Sequence, residues 1–172
     1  MKNLEYNLHW IFKYLLLTLI TLVIIVSEFA CEGSTGPVGP AGDSDKQIRL
    51  IFPAGGHGTS STDWRILPES SHLIKFNKNY YVNVDSITFI CSLGNDGSSD
   101  ASVFVDLYNV TDSLPIANSL LQNNTNPYMW VESGNLFDEL PSKEINLAIR
   151  IRNETQGTGG GIASAFLLLY RE

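Results

Sequence analysis

Two cysteines and three histidines in a chain of 172 residues are too few for a Cys/His zinc module or a disulfide framework. Basic residues are scarce too: 11 Lys and Arg stand against 18 Asp and Glu, a formal net charge of −7. Without a basic stretch to neutralise a phosphate backbone, no nucleic-acid partner is expected. There is no G-x-S-x-G elbow and no Gly-Lys-Ser/Thr ending to a glycine-rich loop, so the usual hydrolase and nucleotide signatures are missing. Hydrophobic residues make up 44% of the chain, which excludes an acidic disordered tail. The length suits one domain of ordinary size.

The apolar residues are unevenly spread. Tyr14 to Val26 reads YLLLTLITLVIIV, thirteen residues without a charge, with Lys2 and Lys13 before it. A membrane-spanning helix needs about 20 apolar residues, whereas a secretory core takes roughly 7–15 after a positive stretch. A signal helix within residues 1–30 is therefore expected, with an uncleaved anchor starting near Trp10 as the alternative. Ser27-Glu28-Phe29-Ala30-Cys31 follows, a small residue directly before a cysteine. This resembles the lipobox of bacterial lipoproteins, and the leader as a whole is similar to Bacteroidota lipoproteins. Glu28 and Phe29 depart from the usual Leu-and-small-residue pattern. The resemblance implies lipidation of Cys31 by palmitate-like chains, a membrane partner through that anchor, and a place in the cell envelope at the outer membrane. Each buried CH₂ contributes about 0.8 kcal/mol, so several chains on one cysteine anchor firmly. Cys91 then lacks a partner and is expected to be a small buried hydrophobe; a Cys31–Cys91 disulfide is the competing arrangement.

Gly33, Gly36, Gly39 and Gly42 recur at a period of three, with Pro37 and Pro40 after two of them. Only glycine fits the axis of three polyproline II chains, so this is a collagen-like pattern, although too short to hold a triple helix alone. Residues 31–45 are expected to form a stiff, disordered spacer, or a short stalk on a homotrimer.

Residues 46–172 read as short strands between turn signals. Ile145, Leu147, Ile149 and Ile151 alternate with Asn146, Ala148, Arg150 and Arg152, the period of a strand with one buried face. Ile87 to Leu93 and Val103 to Tyr108 alternate similarly, and Ile162 to Tyr170 is apolar almost throughout, as in a strand covered on both faces. Ile48 to Phe52 and Tyr80 to Val84 are further candidates; Trp64 to Leu67, Leu73 to Phe76 and Tyr128 to Val131 are weaker. Turn chemistry separates them at Pro53 to Gly56, Gly94 to Gly97, Thr111 to Ser113, Asn123 to Pro127 and Gly157 to Gly161. The prediction is an all-β, two-sheet antiparallel sandwich. Val105 to Asp112, Pro115-Ile116 and Leu140-Pro141 before the Ile145 strand resemble jelly-roll heads of the tumour-necrosis-factor and C1q type. That resemblance implies a jelly-roll-like sandwich and a homotrimer, as such heads often follow collagen-like stalks.

Candidate chemistry is sparse. His57 lies in a Gly-rich stretch with Ser60, Ser61 and Asp63, which does not hold a catalytic triad rigidly. Asn95, Asp96, Asp100 and Asp106 lack Ca²⁺-loop spacing, so no metal or cofactor is expected. The three N-x-S/T sequons, at Asn109, Asn123 and Asn153, are set aside because a bacterial lipoprotein would not ordinarily use them. Trp64, Trp130 and Tyr128 are the candidate ligand-binding residues, because exposed rings pack on sugar faces; burial in a core or subunit interface is the other reading. Together these features predict a non-catalytic envelope lipoprotein whose head binds a protein or assembles. A cell-surface carbohydrate-binding module, with a glycan ligand, is the alternative.

Overall fold

The computed structural model describes residues 46–172; the signal helix, Cys31 and the Gly-X-Y spacer lie outside the described residues. The strands are β1 (Gln47–Phe52), β2 (His57–Thr59), β3 (Arg65–Ile66), β4 (Leu73–Phe76), β5 (Val84–Asn95), β6 (Val103–Asn109), β7 (Leu114–Pro115), β8 (Leu121–Asn123), β9 (Met129–Asn135), β10 (Ile145–Asn153) and β11 (Gly160–Arg171). They form two antiparallel sheets packed as a sandwich. The first sheet runs β1-β11-β5-β9, with β2 also on β11; the second runs β3-β10-β6-β7, with β4 on β10 and β8 on β6.

Alternation builds the core. Ile87, Phe89, Cys91 and Leu93 of β5 are fully buried, as are Leu147, Ile149 and Ile151 of β10 and Val105 and Leu107 of β6. Phe52 of β1 meets Phe89 edge-on, with ring centroids 6.1 Å apart, the geometry that the aromatic quadrupole favours. Cys91 is a free thiol inside this core, and burial pushes its pKa up. It packs as the small hydrophobe expected.

Two local expectations change. Tyr80 to Val84 is not a strand: Lys78–Tyr80 is a 3₁₀ turn, Asn77 accepts the Asn79 N–H at 3.0 Å, and β5 begins only at Val84. Asn83 sits at φ 61°, a left-handed position that Asn tolerates better than most residues. The asparagines outweigh the β-propensity of the two tyrosines. Gly94, Gly160 and Gly161 lie within strands, not turns. Gly161 pairs with Gly94, and a Cβ on Gly161 would stand 2.8 Å from the Tyr128 hydroxyl. These glycines mark a close approach of a ring to the sheet. The weak segments Trp64 to Leu67 and Leu73 to Phe76 yield the short β3 and β4, both paired to β10.

Candidate functional site

The outward face of the first sheet is unusual for its class. Cross-strand neighbours share a face, and the registers align Ile51, Phe166, Ile90 and Glu132 in one row across β1, β11, β5 and β9. Arg49, Leu168 and Thr88 form the row on one side of it; Ser164, Ser92 and Trp130 form the row on the other. Their strand neighbours Phe52, Leu167, Leu169, Phe89 and Cys91 point into the core, so these rows point away from it. An antiparallel sheet with a solvated face ordinarily carries polar residues there. Here Ile51 is 61% exposed, Trp130 57% and Tyr128 43%.

The rings are organised. Trp130 lies 5.7 Å from Phe166, tilted by 60°. The Arg49 guanidinium sits 3.6 Å from the Phe166 ring centroid, a cation–π contact that hides most of that ring. A shallow groove of about 340 Å³ runs beside it, lined by Gln47, Arg49, Ile90, Phe166 and Leu168. Tyr128 rests over Gly94 and Gly161, on the same outward face as Trp130.

Trp64 belongs to the other sheet. The Arg150 and Arg152 guanidinium carbons lie 4.8 and 5.1 Å from its ring centroid. Arg150 also caps Tyr108 at 4.5 Å and Arg152 caps Phe104 at 4.2 Å. The result is a ladder, Tyr108–Arg150–Trp64–Arg152–Phe104, laid over the outward side of β6 and β10. Asp106 locks it, accepting from Arg150 Nε at 2.9 Å and from Nη2 at 2.5 Å. Trp130 and Tyr128 therefore share a face, while Trp64 is on the opposite sheet with its ring already occupied by arginines.

The remaining candidates are held in structural bonds. Ser71 Oγ is buried and donates to the Pro53 carbonyl at 2.8 Å, so its only hydrogen is committed. His57 Nε2, 3.2 Å away, must then donate to that oxygen, which is the reverse of what a catalytic base needs. Asp96 accepts from the Ser98 and Gly159 amides at 2.9 and 3.0 Å, which with the Ser98 hydroxyl hold its carboxyl below the usual range. Asp106, with its Arg150 partner, lies on the other sheet from Asn95 and Asp96 of the β5 end, so the four oxygen donors do not converge. Among the described residues no cluster of three or more His, Cys, Asp or Glu could hold a metal ion. Asn109 and Asn153 are buried, and their amides donate to Asp112 and Thr59 at 2.8 and 2.9 Å, which closes those two sequons to modification in the folded head.

No protein-family model matches the chain, and no curated protein is significantly similar to it. The residues of this chain therefore carry the functional argument. Sequence reasoning found Trp130 and Tyr128 but missed Phe166, Arg49, Ile51, Ile90 and Glu132. The available signal was the apolar outward half of β11, Phe166, Leu168 and Tyr170. A strand that is apolar on both sides predicts a cover on both sides, and Arg49 and Trp130 lie against the outer side of Phe166.

Proposed function

We propose that this chain is a non-catalytic lipoprotein of the cell envelope, held in the outer membrane by lipid on Cys31, whose β-sandwich head assembles as a homotrimer at the end of a short collagen-like spacer. The observation that carries the assembly reading is the apolar outer face of the first sheet. Its rows set Ile51, Ile90, Phe166, Leu168 and Trp130 among Arg49, Thr88, Ser92, Ser164 and Glu132, and clustered exposed apolar groups rimmed by polar ones are a mark of interaction sites. The strand orders β1-β11-β5-β9 and β3-β10-β6-β7 support a jelly-roll reading of the sandwich: the first and last strands are neighbours in one sheet, and β3 and β4 neighbour the second-last strand, β10, in the other. The period-3 glycines from Gly33 support three copies over two.

Cys31→Ser tests the anchor. The wild-type chain should pellet with membranes and resist high-salt extraction; the variant should be released or retained only with its uncleaved leader. Unchanged partitioning together with a mature N-terminus at residue 31 would defeat the anchor reading.

A second reading, carbohydrate binding, is favoured by Trp130 and Tyr128 sharing one exposed face. Here Trp130→Ala should abolish retention on a glycan array while leaving the melting temperature within about 2 °C, because a ring 57% exposed contributes little to folding. A wild-type protein that binds nothing on the array removes this reading.

A further inference from the structure

The face proposed above as an assembly surface is electrically lopsided, and the lopsidedness specifies how copies would meet. Arg49 stands on β1 and Glu132 on β9, at the two edges of the first sheet. Both are exposed. Among the described residues the ion pairs are Lys143–Asp112 and Arg150–Asp106, so neither Arg49 nor Glu132 is in one. Three strand spacings separate the β1 and β9 backbones, about 14 Å. Between them on β11 and β5 the rows hold Phe166, Ile90 and Leu168 with the uncharged Ser164, Ser92 and Thr88.

We propose that the occupant of this face is a second and third copy of the chain, arranged in a closed ring, with Arg49 of each copy paired to Glu132 of the next. In a head-to-tail ring one edge of the face meets the opposite edge of its neighbour, and each copy uses both. A cationic edge and an anionic edge therefore suit a ring, and the apolar rows between them become its interior. The heights also agree. Rotation about an axis along the strands leaves each residue at its own level, so the paired groups must share a level. Glu132 lies in the row of Ile51, Phe166 and Ile90. Arg49 starts one row away, and its guanidinium reaches to 3.6 Å from the centroid of Phe166, a member of Glu132's row. Stacking on the Phe166 ring holds the planar fork against a hydrophobic surface, and a guanidinium held by its face can still use its N–H edge for a carboxylate.

This inference rests on the assembly reading and deepens it, and one experiment separates their failures. The full-length chain, in density-matched detergent with fewer than one chain per micelle, is followed by sedimentation equilibrium as wild type, Arg49→Glu, Glu132→Arg and the double exchange Arg49→Glu/Glu132→Arg. The wild type should sediment as a trimer. Each single reversal places like charges opposite one another at three contacts and should raise the trimer–monomer midpoint by at least about tenfold. The double exchange should return it to within about threefold of wild type. Far-UV circular dichroism and the rescue itself show that the single variants fold. A wild-type trimer indifferent to the reversals, or not rescued by the exchange, overturns the ring pairing and leaves assembly standing. A wild-type monomer overturns both, and a monomer that binds a saccharide through Trp130 gives the face to sugar.

Discussion

Phe89→Ala should remove about 3–5 kcal/mol of stability, a large part of the 5–15 kcal/mol that holds a typical domain. Phe89 has no exposed surface and closes edge-on against Phe52 across β1 and β5. Its partners belong to paired strands, and strands cannot collapse into a cavity as independent loops can, so the void would persist. Urea denaturation should show a midpoint lower by roughly 2 M for a slope near 2 kcal/mol/M. Leu114→Ala is the control, because Leu114 is 61% exposed on the short β7 and should move the midpoint by no more than about 0.3 M. Equal effects would mean that the core does not lie between the two sheets.

The parts of this fold that were legible in the sequence are those in which one face alone decides. β10 and β6 alternate cleanly because their inner residues meet the core and their outer residues meet solvent or the arginine ladder. The long β11 was legible as a strand, but the meaning of its apolar outer side was not, because that depends on which neighbours it pairs with. Arg49 and Glu132 gave no signal at all: each is an ordinary surface charge until register brings both to one face of one sheet. The same holds for Trp64, which reads like Trp130 in the chain and differs only through Arg150 and Arg152, some 90 positions away. Gly160 and Gly161 were misread as a loop because glycine announces special backbone or close approach without saying which. Tyr80 to Val84 differs because β-propensity describes packing on a pleated surface, whereas Asn77 accepts the Asn79 N–H locally and Asn83 takes a left-handed conformation before β5.

The second large effect concerns Asp106 and Arg150, and here the singles should cost more than the pair. Both side chains are largely buried, with 8% and 15% of their surfaces exposed. Asp106→Ala leaves a guanidinium shut between Tyr108 and Trp64 without its carboxylate, and Arg150→Met leaves the carboxylate without its fork. Breaking a buried pair in this way costs on the order of 3–5 kcal/mol, whereas replacing both members by apolar residues is often close to neutral. Asp106→Ala/Arg150→Met should therefore be more stable than the sum of the single losses by about 2 kcal/mol or more, less what the double loses through the cation–π contacts. The two singles should also differ in their response to pH. Burial raises the Asp106 carboxyl pKa, against the opposing hydrogen bonds and charge of Arg150. Removing Arg150 leaves burial less opposed, so the folded variant should hold a proton at pH values where the unfolded chain has lost it. Where the folded state binds more protons, stability rises as pH falls. The deficit of Arg150→Met relative to wild type should thus shrink between neutral pH and the ordinary carboxylate range near pH 4, while that of Asp106→Ala should not, because its orphaned guanidinium does not titrate there. Urea midpoints at pH 7 and pH 5 read this directly, and parallel shifts in the two variants would show that Asp106 is not the buried partner that locks the ladder.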